Sequence, residues 1–476
     1  MLELTAHVDS LRALLEQPHK SIDGLFEPQT PICLARAPGR LDVMGGIGDY
    51  SGSLVLQLPI REAALAAVQV TPQPGAIAVS FVDGSADDAR RVELNASQWV
   101  DLLQNDYEAA RQALRENPDT AWAAYVLGPI LVLARQRLGS WNRGVRVLID
   151  SRVPEGKGVS SSAALEVATM QALSTLSGLE MSGEEIARLC QMAENLVVGA
   201  PCGIMDQMTS ALGRENQLLA LRCQPAVVEG HLPIPSAISF WGIDSGIRHA
   251  VSGSDYSSVR TGAFMGYRII AHIAGLKATH DTRGVVELDD PFWNGYLANL
   301  SPAEFRERFE SHLPLEMSGQ EFLDRYGGTT DRVTRVDPAR TYAVRRPTLH
   351  PVEENQRVER FRELLQGPID ERLLAEMGQL MNASHESYSA CDLGSDGTDL
   401  LVQLVRDEGP KNLLYGAKIT GGGSGGAVAV LGRANAAPAV ERIAQQYTKI
   451  TGRAAYVFRG SSPGACATGG LQFTWK

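Results

Sequence analysis

Apolar residues recur at helical spacing over residues 3–15, and a polar linker around Pro18 and Pro28 follows. The apolar run at 32–37 predicts a short strand that Pro38-Gly39 should end. Residues 40–52 are dense in glycine and read as a loop entered from that strand. Strand patterning returns at 54–56 and 63–70, with turns expected at Pro74-Gly75 and Asp83-Gly84. One amphipathic helix is predicted over 99–113. A second, largely buried, is predicted over 122–137, with Pro129 at a kink or an early turn. The run at 145–149 is a strand, and a glycine- and serine-rich stretch leads from it into a helix reaching about residue 175.

Ser182 and Glu185 have capping-box spacing and start a helix whose apolar face is Ile186, Leu189, Cys190, Ala193, Leu196 and Val197. Glu194 falls among those apolar positions. A short helix is expected from about Asp206 to Gly213, and a buried strand at 238–243, with a loop or helix start at 252–256. Residues 275–345 are irregular and charged, and read as an insertion with short helices, either a lid or a contact surface. Beyond it the pattern predicts helices at 352–365, 371–381 and 397–406, a strand at 427–431, a helix at 439–447 and a strand at 454–458. That alternation suggests a small α+β sandwich.

A chain of 476 residues exceeds what one hydrophobic core usually serves, so two domains are expected. The formal net charge is −11 without any block of Lys and Arg, which argues against a nucleic-acid surface or a polybasic membrane patch. The longest apolar run, residues 121–134, contains Pro129 and is too short to span a bilayer. Residues 1–20 carry His7, Asp9, Arg12 and Glu16 and lack a signal-peptide core. The six cysteines are scattered with no C-x-x-C pair, so reduced thiols in a cytoplasmic protein are expected, rather than disulfides or structural zinc.

The chemistry is concentrated in a few places. Residues Gly156, Lys157, Gly158, Val159, Ser160, Ser161 and Ser162 lie between a strand and a helix. Glycines let backbone N–H groups approach a ligand, and a helix N-terminus favours an anion, so the stretch suits a polyphosphate. An ordinary serine-capped helix start is the other reading. The spacing of a dinucleotide-binding fingerprint is absent there. In the first glycine-rich segment Arg40, Asp42 and Asp49 need something to face. Glu194 would be costly on a buried face unless paired or bound to a metal. Asp206 is a candidate base or a helix cap. A third glycine run, 421–426, could close the far side of a pocket. Together these supply what a phosphoryl transferase needs: a phosphate cradle, oxygen ligands for Mg²⁺ in Ser162 and Glu194, a cation in Arg40 and a base in Asp206.

Three segments then resemble the motifs of the GHMP small-molecule kinases. They are Ala37-Pro38-Gly39-Arg40, Gly156-Lys157-Gly158-Val159-Ser160-Ser161-Ser162-Ala163-Ala164, and Lys418-Ile419-Thr420-Gly421-Gly422-Gly423-Ser424-Gly425-Gly426. Cys202-Gly203-Ile204-Met205-Asp206-Gln207, Asp49-Tyr50, and Glu194 twelve positions before Asp206 are similar to the galactokinase branch. The resemblance implies an α+β, two-domain fold. An N-terminal α/β domain (ribosomal S5-like, residues 1–236) and a C-terminal ferredoxin-like α+β domain (237–476) would flank the active site. It also implies that Asp206 takes the proton from a sugar's anomeric hydroxyl while Arg40 stabilises the developing charge. Ser162 and Glu194 would hold Mg²⁺, residues 156–162 would wrap the phosphates of ATP, and Asp49 and Tyr256, with Gly203 nearby, would face the sugar.

One departure bears on the substrate. Galactokinases carry Glu-His where this chain has Gly46-Ile47, and that glutamate binds the sugar's 6-hydroxyl. L-Arabinopyranose matches D-galactopyranose at carbons 1 to 4 but lacks the hydroxymethyl group, so a buried carboxylate there would be left unpaired. Residues 40–47, and Ser424 where galactokinases usually carry Phe, are similar to the arabinokinase branch, found in plants as a C-terminal module. The expected activity is ATP- and Mg²⁺-dependent phosphorylation of L-arabinose at its anomeric carbon by a stand-alone version of that module. D-Galactose is the alternative substrate, and a non-catalytic sugar- and ATP-binding regulator is the reading from another class.

Overall fold

The computed structural model describes residues 2–16, 21–82, 85–139, 141–248, 254–281 and 285–474. After helix α1 (Leu2–Leu15) come the long strands β1 (Ile32–Met44) and β2 (Leu54–Thr71), then β3 (Ala76–Val82) and β4 (Ser85–Leu94). Helices α2 (Ala96–Gln104), α3 (Tyr107–Arg115) and α4 (Ala124–Arg135) lead to β5 (Gly144–Ser151). Next are α5 (Ser161–Ser177), α6 (Gly183–Met192), α7 (Met205–Leu212), β6 (Gln217–Arg222) and β7 (Val227–Pro233). These strands form one sheet in the order β1-β2-β5-β3-β4, with β6 on β2 and β7 on β6. The chain's last strand, Gly470–Phe473, returns to pair with β1.

Alternation along β1 decides its packing. Cys33, Ala35 and Ala37 join the core with α4 and α5, whereas Ile32 and Leu34 pack with Val8 and Leu11 of α1 on the other face. The small side chains of β1 suit a close seat for α5.

The second half begins with β8 (Ile238–Asp244) and α8 (Ser254–Ile273). A region of short elements follows: the hairpin β9 (Lys277–His280) and β10 (Val286–Asp289), the single turn α9 (Pro302–Glu304), and α10 (Gly319–Tyr326) between the paired strands β11 (Glu316–Ser318) and β12 (Thr341–Ala343). Helices α11 (Arg345–Leu365), α12 (Glu371–Ala390) and α13 (Asp396–Glu408) precede β13 (Leu414–Ile419), β14 (Ala427–Arg433), α14 (Ala437–Thr451) and β15 (Val457–Arg459). Here β13-β14-β8-β15 make an antiparallel sheet. Among the described residues no helix is long and apolar enough to cross a membrane.

The structure corrects several expectations. Pro38-Gly39 does not end β1. The register shifts between Pro38 and Arg40, and the Arg40 N–H leaves the ladder to bond the Val159 carbonyl at 3.0 Å. Residues 40–44 are therefore strand, not loop, and only Gly46–Ser51 turns, as a 3₁₀ segment. The two strands expected over 54–70 are one. The helix expected over 99–113 is two, because the Asp106 side chain accepts the Ala109 N–H at 2.8 Å and caps α3. α11 and α12 are longer than expected, and β13 and the last strand were not anticipated. The turn expected at Asp83-Gly84 lies outside the described residues, as do residues 252 and 253.

Between the two halves lies a charged pair with no exposure on either side chain. Lys418 Nζ on β13 donates to Asp42 Oδ2 on β1 at 2.5 Å and to the Ile419 carbonyl at 2.6 Å. The other Asp42 oxygen accepts Gln57 Nε2 at 2.6 Å and the Gly46 N–H at 3.0 Å. Thr420 Oγ1 accepts the Asp42 N–H at 2.7 Å. Replacing Lys418 by Met leaves Asp42 buried without its counter-charge. The unfolding free energy in urea is expected to fall by about 3–5 kcal/mol. A loss below about 1 kcal/mol, the range of an exposed pair, would remove the pair from that structural role.

Candidate active site

The bulge in β1 sets the geometry of the site. It brings Arg40 against the glycine- and serine-rich loop, where Nη1 donates to the Gly158 carbonyl at 2.7 Å. Nε and Nη2 of the same guanidinium hold Asp206 Oδ1 at 2.9 and 2.7 Å. The other Asp206 oxygen accepts the Ser160 hydroxyl at 2.5 Å. Asp206 stands in the first turn of α7 behind the N-cap Ile204, so its carboxylate faces Arg40 and Ser160 and does not cap the helix. Ser160, in the left-handed region at φ 60°, precedes α5.

Next to Asp206 is a second carboxylate. Asp49, in the 3₁₀ turn after β1, is buried, and burial together with the nearby Asp206 charge pushes its carboxyl up to about 7. Gly203 lies directly against it. A Cβ on Gly203 would overlap the Asp49 carboxylate, so only glycine lets the 201–203 segment pass this close. Tyr256 of α8 packs edge-on to Tyr50 at 6.0 Å, and Ile47 completes this wall.

Glu194 sits in a π-helical turn, Ala193–Val198, that extends α6. Burial, helped by the Asp206 charge, raises its carboxyl to about 7. Ser162, Cys202 and Gln207 hydrogen-bond to it, all neutral groups, with Gln207 Nε2 at 2.6 Å. Gln207 also reaches Glu166 Oε2 at 3.3 Å. Glu166 is fully buried, its Oε1 has no hydrogen-bond partner, and burial followed by the Glu194 charge pushes its carboxyl well above the usual range. Two buried carboxyl groups with only neutral partners make a site short of positive charge. An oxygen-seeking divalent cation fits that donor set.

Arg40, Ile47, Asp49, Gly156, Gly158, Ser160, Ser161, Ser162, Glu194, Gly203, Asp206 and Tyr256 all line one cleft, with Gly421 and Gly422 also in its wall. Gly46, Lys157 and Val159 do not line it. Lys157 turns to Asp244 at 2.8 Å, and Val159 is in the core. A second cavity shares Gly156, Ser161 and Ser162 with the cleft and has Trp122 and Tyr125 in its wall. Sequence reasoning missed Glu166, Gln207 and the buried pair of Arg260 and Asp331. Arg260 forks onto both Asp331 oxygens at 2.8 and 2.9 Å and donates to the Cys202 carbonyl at 3.1 Å. The 275–345 region thus braces the cleft wall beside Gly203.

Family models for the GHMP kinases N terminal domain and the GHMP kinases C terminal match residues 124–214 and 363–449. A galactokinase of Chloroflexus aggregans is 30% identical over 84% of this chain and 84% of its own. The chain belongs to the GHMP kinase family. An L-arabinokinase of Arabidopsis thaliana is 44% identical to this GHMP kinase over 95% of the chain, which spans 48% of that longer relative. The structure of Lactococcus lactis galactokinase complexed with galactose has the same fold, with a TM-score of 0.71 at 20% identity, covering 97% of this chain and 99% of that one.

The raised carboxyl of Asp49 gives the kinase a pH signature. The folded chain holds this proton from about pH 4, where a free Asp loses it, to about 7. The folded state binds more protons than the unfolded one over that interval, so stability falls as pH rises through it. The thermal midpoint of the ligand-free protein should be lower at about pH 8 than at about pH 5. Asp49→Asn should reduce the drop, with Glu194 and Glu166 supplying what remains. An unreduced drop in the variant would contradict this assignment.

Proposed function

We propose that the chain is an ATP- and Mg²⁺-dependent sugar 1-kinase whose substrate is L-arabinose and whose product is β-L-arabinose 1-phosphate. The observation that carries the sugar choice is the apolar wall that Ile47 presents to the cleft, with no side chain on Gly46 behind it. Ile47 is 1% exposed, lines the cleft and stands two residues before Asp49, while Gly46 offers no side chain at all. A hexose's hydroxymethyl group would meet hydrocarbon there, where galactokinases offer a polar pair. Sites built to bind a hydroxyl reject analogues lacking it, and a site without that partner suits the pentose. The likeness to the plant L-arabinokinase supports the same choice.

The chemistry follows from the side chains at hand. Asp206 accepts the proton of the anomeric hydroxyl, its charge fixed in direction by Arg40 and Ser160. Arg40 then faces the charge that develops on the transferred group. Gly156, Gly158 and Ser160 to Ser162 would seat the triphosphate at the start of α5, and Ser162 and Glu194 would hold Mg²⁺. Bound there, the cation neutralises charge on the phosphate oxygens. Asp49 and Tyr256 orient the sugar ring, and the cavity bearing Trp122 and Tyr125 adjoins the phosphate loop where the rest of the nucleotide would extend.

Two measurements test this. In a substrate panel, kcat/KM for L-arabinose should exceed that for D-galactose by about tenfold or more. Equal or better turnover of galactose would make the chain a galactokinase. Asp206→Asn should retain ATP binding while kcat falls by about 10²–10⁴. Near-normal turnover would take Asp206 out of the proton transfer.

A further inference from the structure

Gly46 lacks a side chain because another residue occupies its space. Its φ is +44°, and a Cβ built on it would fall on the hydroxyl of Tyr388, 2.7 Å from that ring's Cζ and 2.9 Å from Asp42 Oδ2. Tyr388 lies on α12, is fully buried and does not line the cleft. Its hydroxyl is fully used. It accepts the Ile47 N–H at 2.8 Å and donates to the Gly421 carbonyl at 3.0 Å. The ring cannot swing aside easily. Lys418 Nζ stands 5.2 Å from its centroid, and His350 packs edge-on at 5.1 Å.

Resting on the sugar-kinase reading above, we propose that Tyr388 is a positioning residue that sets which sugar the cleft accepts. It does so in two ways. Its hydroxyl fills the volume that any side chain at position 46 would need, so no carboxylate can be presented to a hydroxymethyl group from that position. The same hydroxyl holds the backbone of residue 47 and ties it to Gly421 on the opposite lip of the cleft. The Ile47 side chain is thereby fixed as an apolar wall against the carbon that bears no hydroxymethyl group in a pentopyranose. Sugar choice is therefore divided between position 46, just after the first motif, and a helix more than three hundred residues later, with Tyr388 standing 341 residues beyond Ile47.

Tyr388→Phe keeps the ring and deletes both hydrogen bonds. Wild type and variant are compared for the KM of L-arabinose, the KM of ATP, kcat and the thermal midpoint. The expected result is a rise of about tenfold in KM for the sugar, with KM for ATP and kcat within about twofold. A purely structural role would lower the thermal midpoint and leave the sugar KM where it was, and that result overturns the proposal. A second comparison uses Gly46→Glu, Tyr388→Leu and the double variant. Gly46→Glu alone should weaken the use of both sugars. Only the double variant, which opens the space, should move the galactose-to-arabinose ratio of kcat/KM toward galactose, by about tenfold or more over either single variant. If Gly46→Glu alone moves the ratio as far as the double variant, Tyr388 is not the determinant. Should the double variant fail to fold, the Tyr388→Phe comparison decides. The wild-type sugar panel stands apart from both, since a wild type that prefers galactose overturns the substrate reading without changing what the Tyr388→Phe comparison measures.

Discussion

The Asp42–Lys418 pair is the interaction on which the architecture of the cleft depends. Two charges taken wholly out of water cost several kcal/mol each, and their attraction offsets this only when every remaining lone pair and proton is satisfied. Here they are satisfied by groups that belong to the site. The second Asp42 oxygen takes the Gly46 N–H at the start of the 3₁₀ turn, and the Asp42 N–H goes to Thr420 at the head of the third glycine run. The pair thus ties β1 of the first sheet to β13 of the second. A pair of apolar residues could fill the same volume, but it would leave the Gly46 N–H without its partner.

A second constraint is electrostatic. Asp49, Glu166, Glu194 and Asp206 converge in a region whose cations, Arg40 and Arg260, already have carboxylate partners in Asp206 and Asp331. Burial raises the carboxyls of Asp49, Glu166 and Glu194, and the Asp206 carboxylate is gripped by the Arg40 guanidinium. Buried carboxyls with only neutral partners leave this region short of positive charge, a setting in which an oxygen-seeking cation would fit.

Much of the cleft was legible because its motifs are local. The order of strand, glycine-serine loop and helix around Ser162 can be read residue by residue, and Glu194 was conspicuous as a charge on an apolar face. Glu166 carried the same signal: a carboxylate four positions after Ser162 in an alanine-rich helix, on the same helical face. What could not be read depends on distant partners. Pro38-Gly39 obeys the local rule that such a pair disrupts a strand, yet the N–H freed by the disruption finds Val159, so the strand continues as a bulge. Arg260 and Asp331 are 71 residues apart, and neither stands out without the other. β13 was hidden because its apolar run contains a lysine, and nothing near Lys418 in sequence indicates that Asp42 awaits it.

Chemistry and specificity are therefore written differently in this chain. Proton transfer and phosphate binding need particular functional groups at fixed distances, so they reside in short motifs whose backbone conformation places those groups. Selection of the sugar, as proposed, needs only a volume to be present or absent. At Gly46 the volume is absent because Tyr388 takes it, and the glycine is meaningful only together with that tyrosine. A motif read alone reports the missing carboxylate. It does not report that restoring the carboxylate would be useless while the space is filled. In a packed interior, where added atoms force strain as surely as removed atoms leave cavities, the identity of a substrate-facing residue is constrained by the layer behind it.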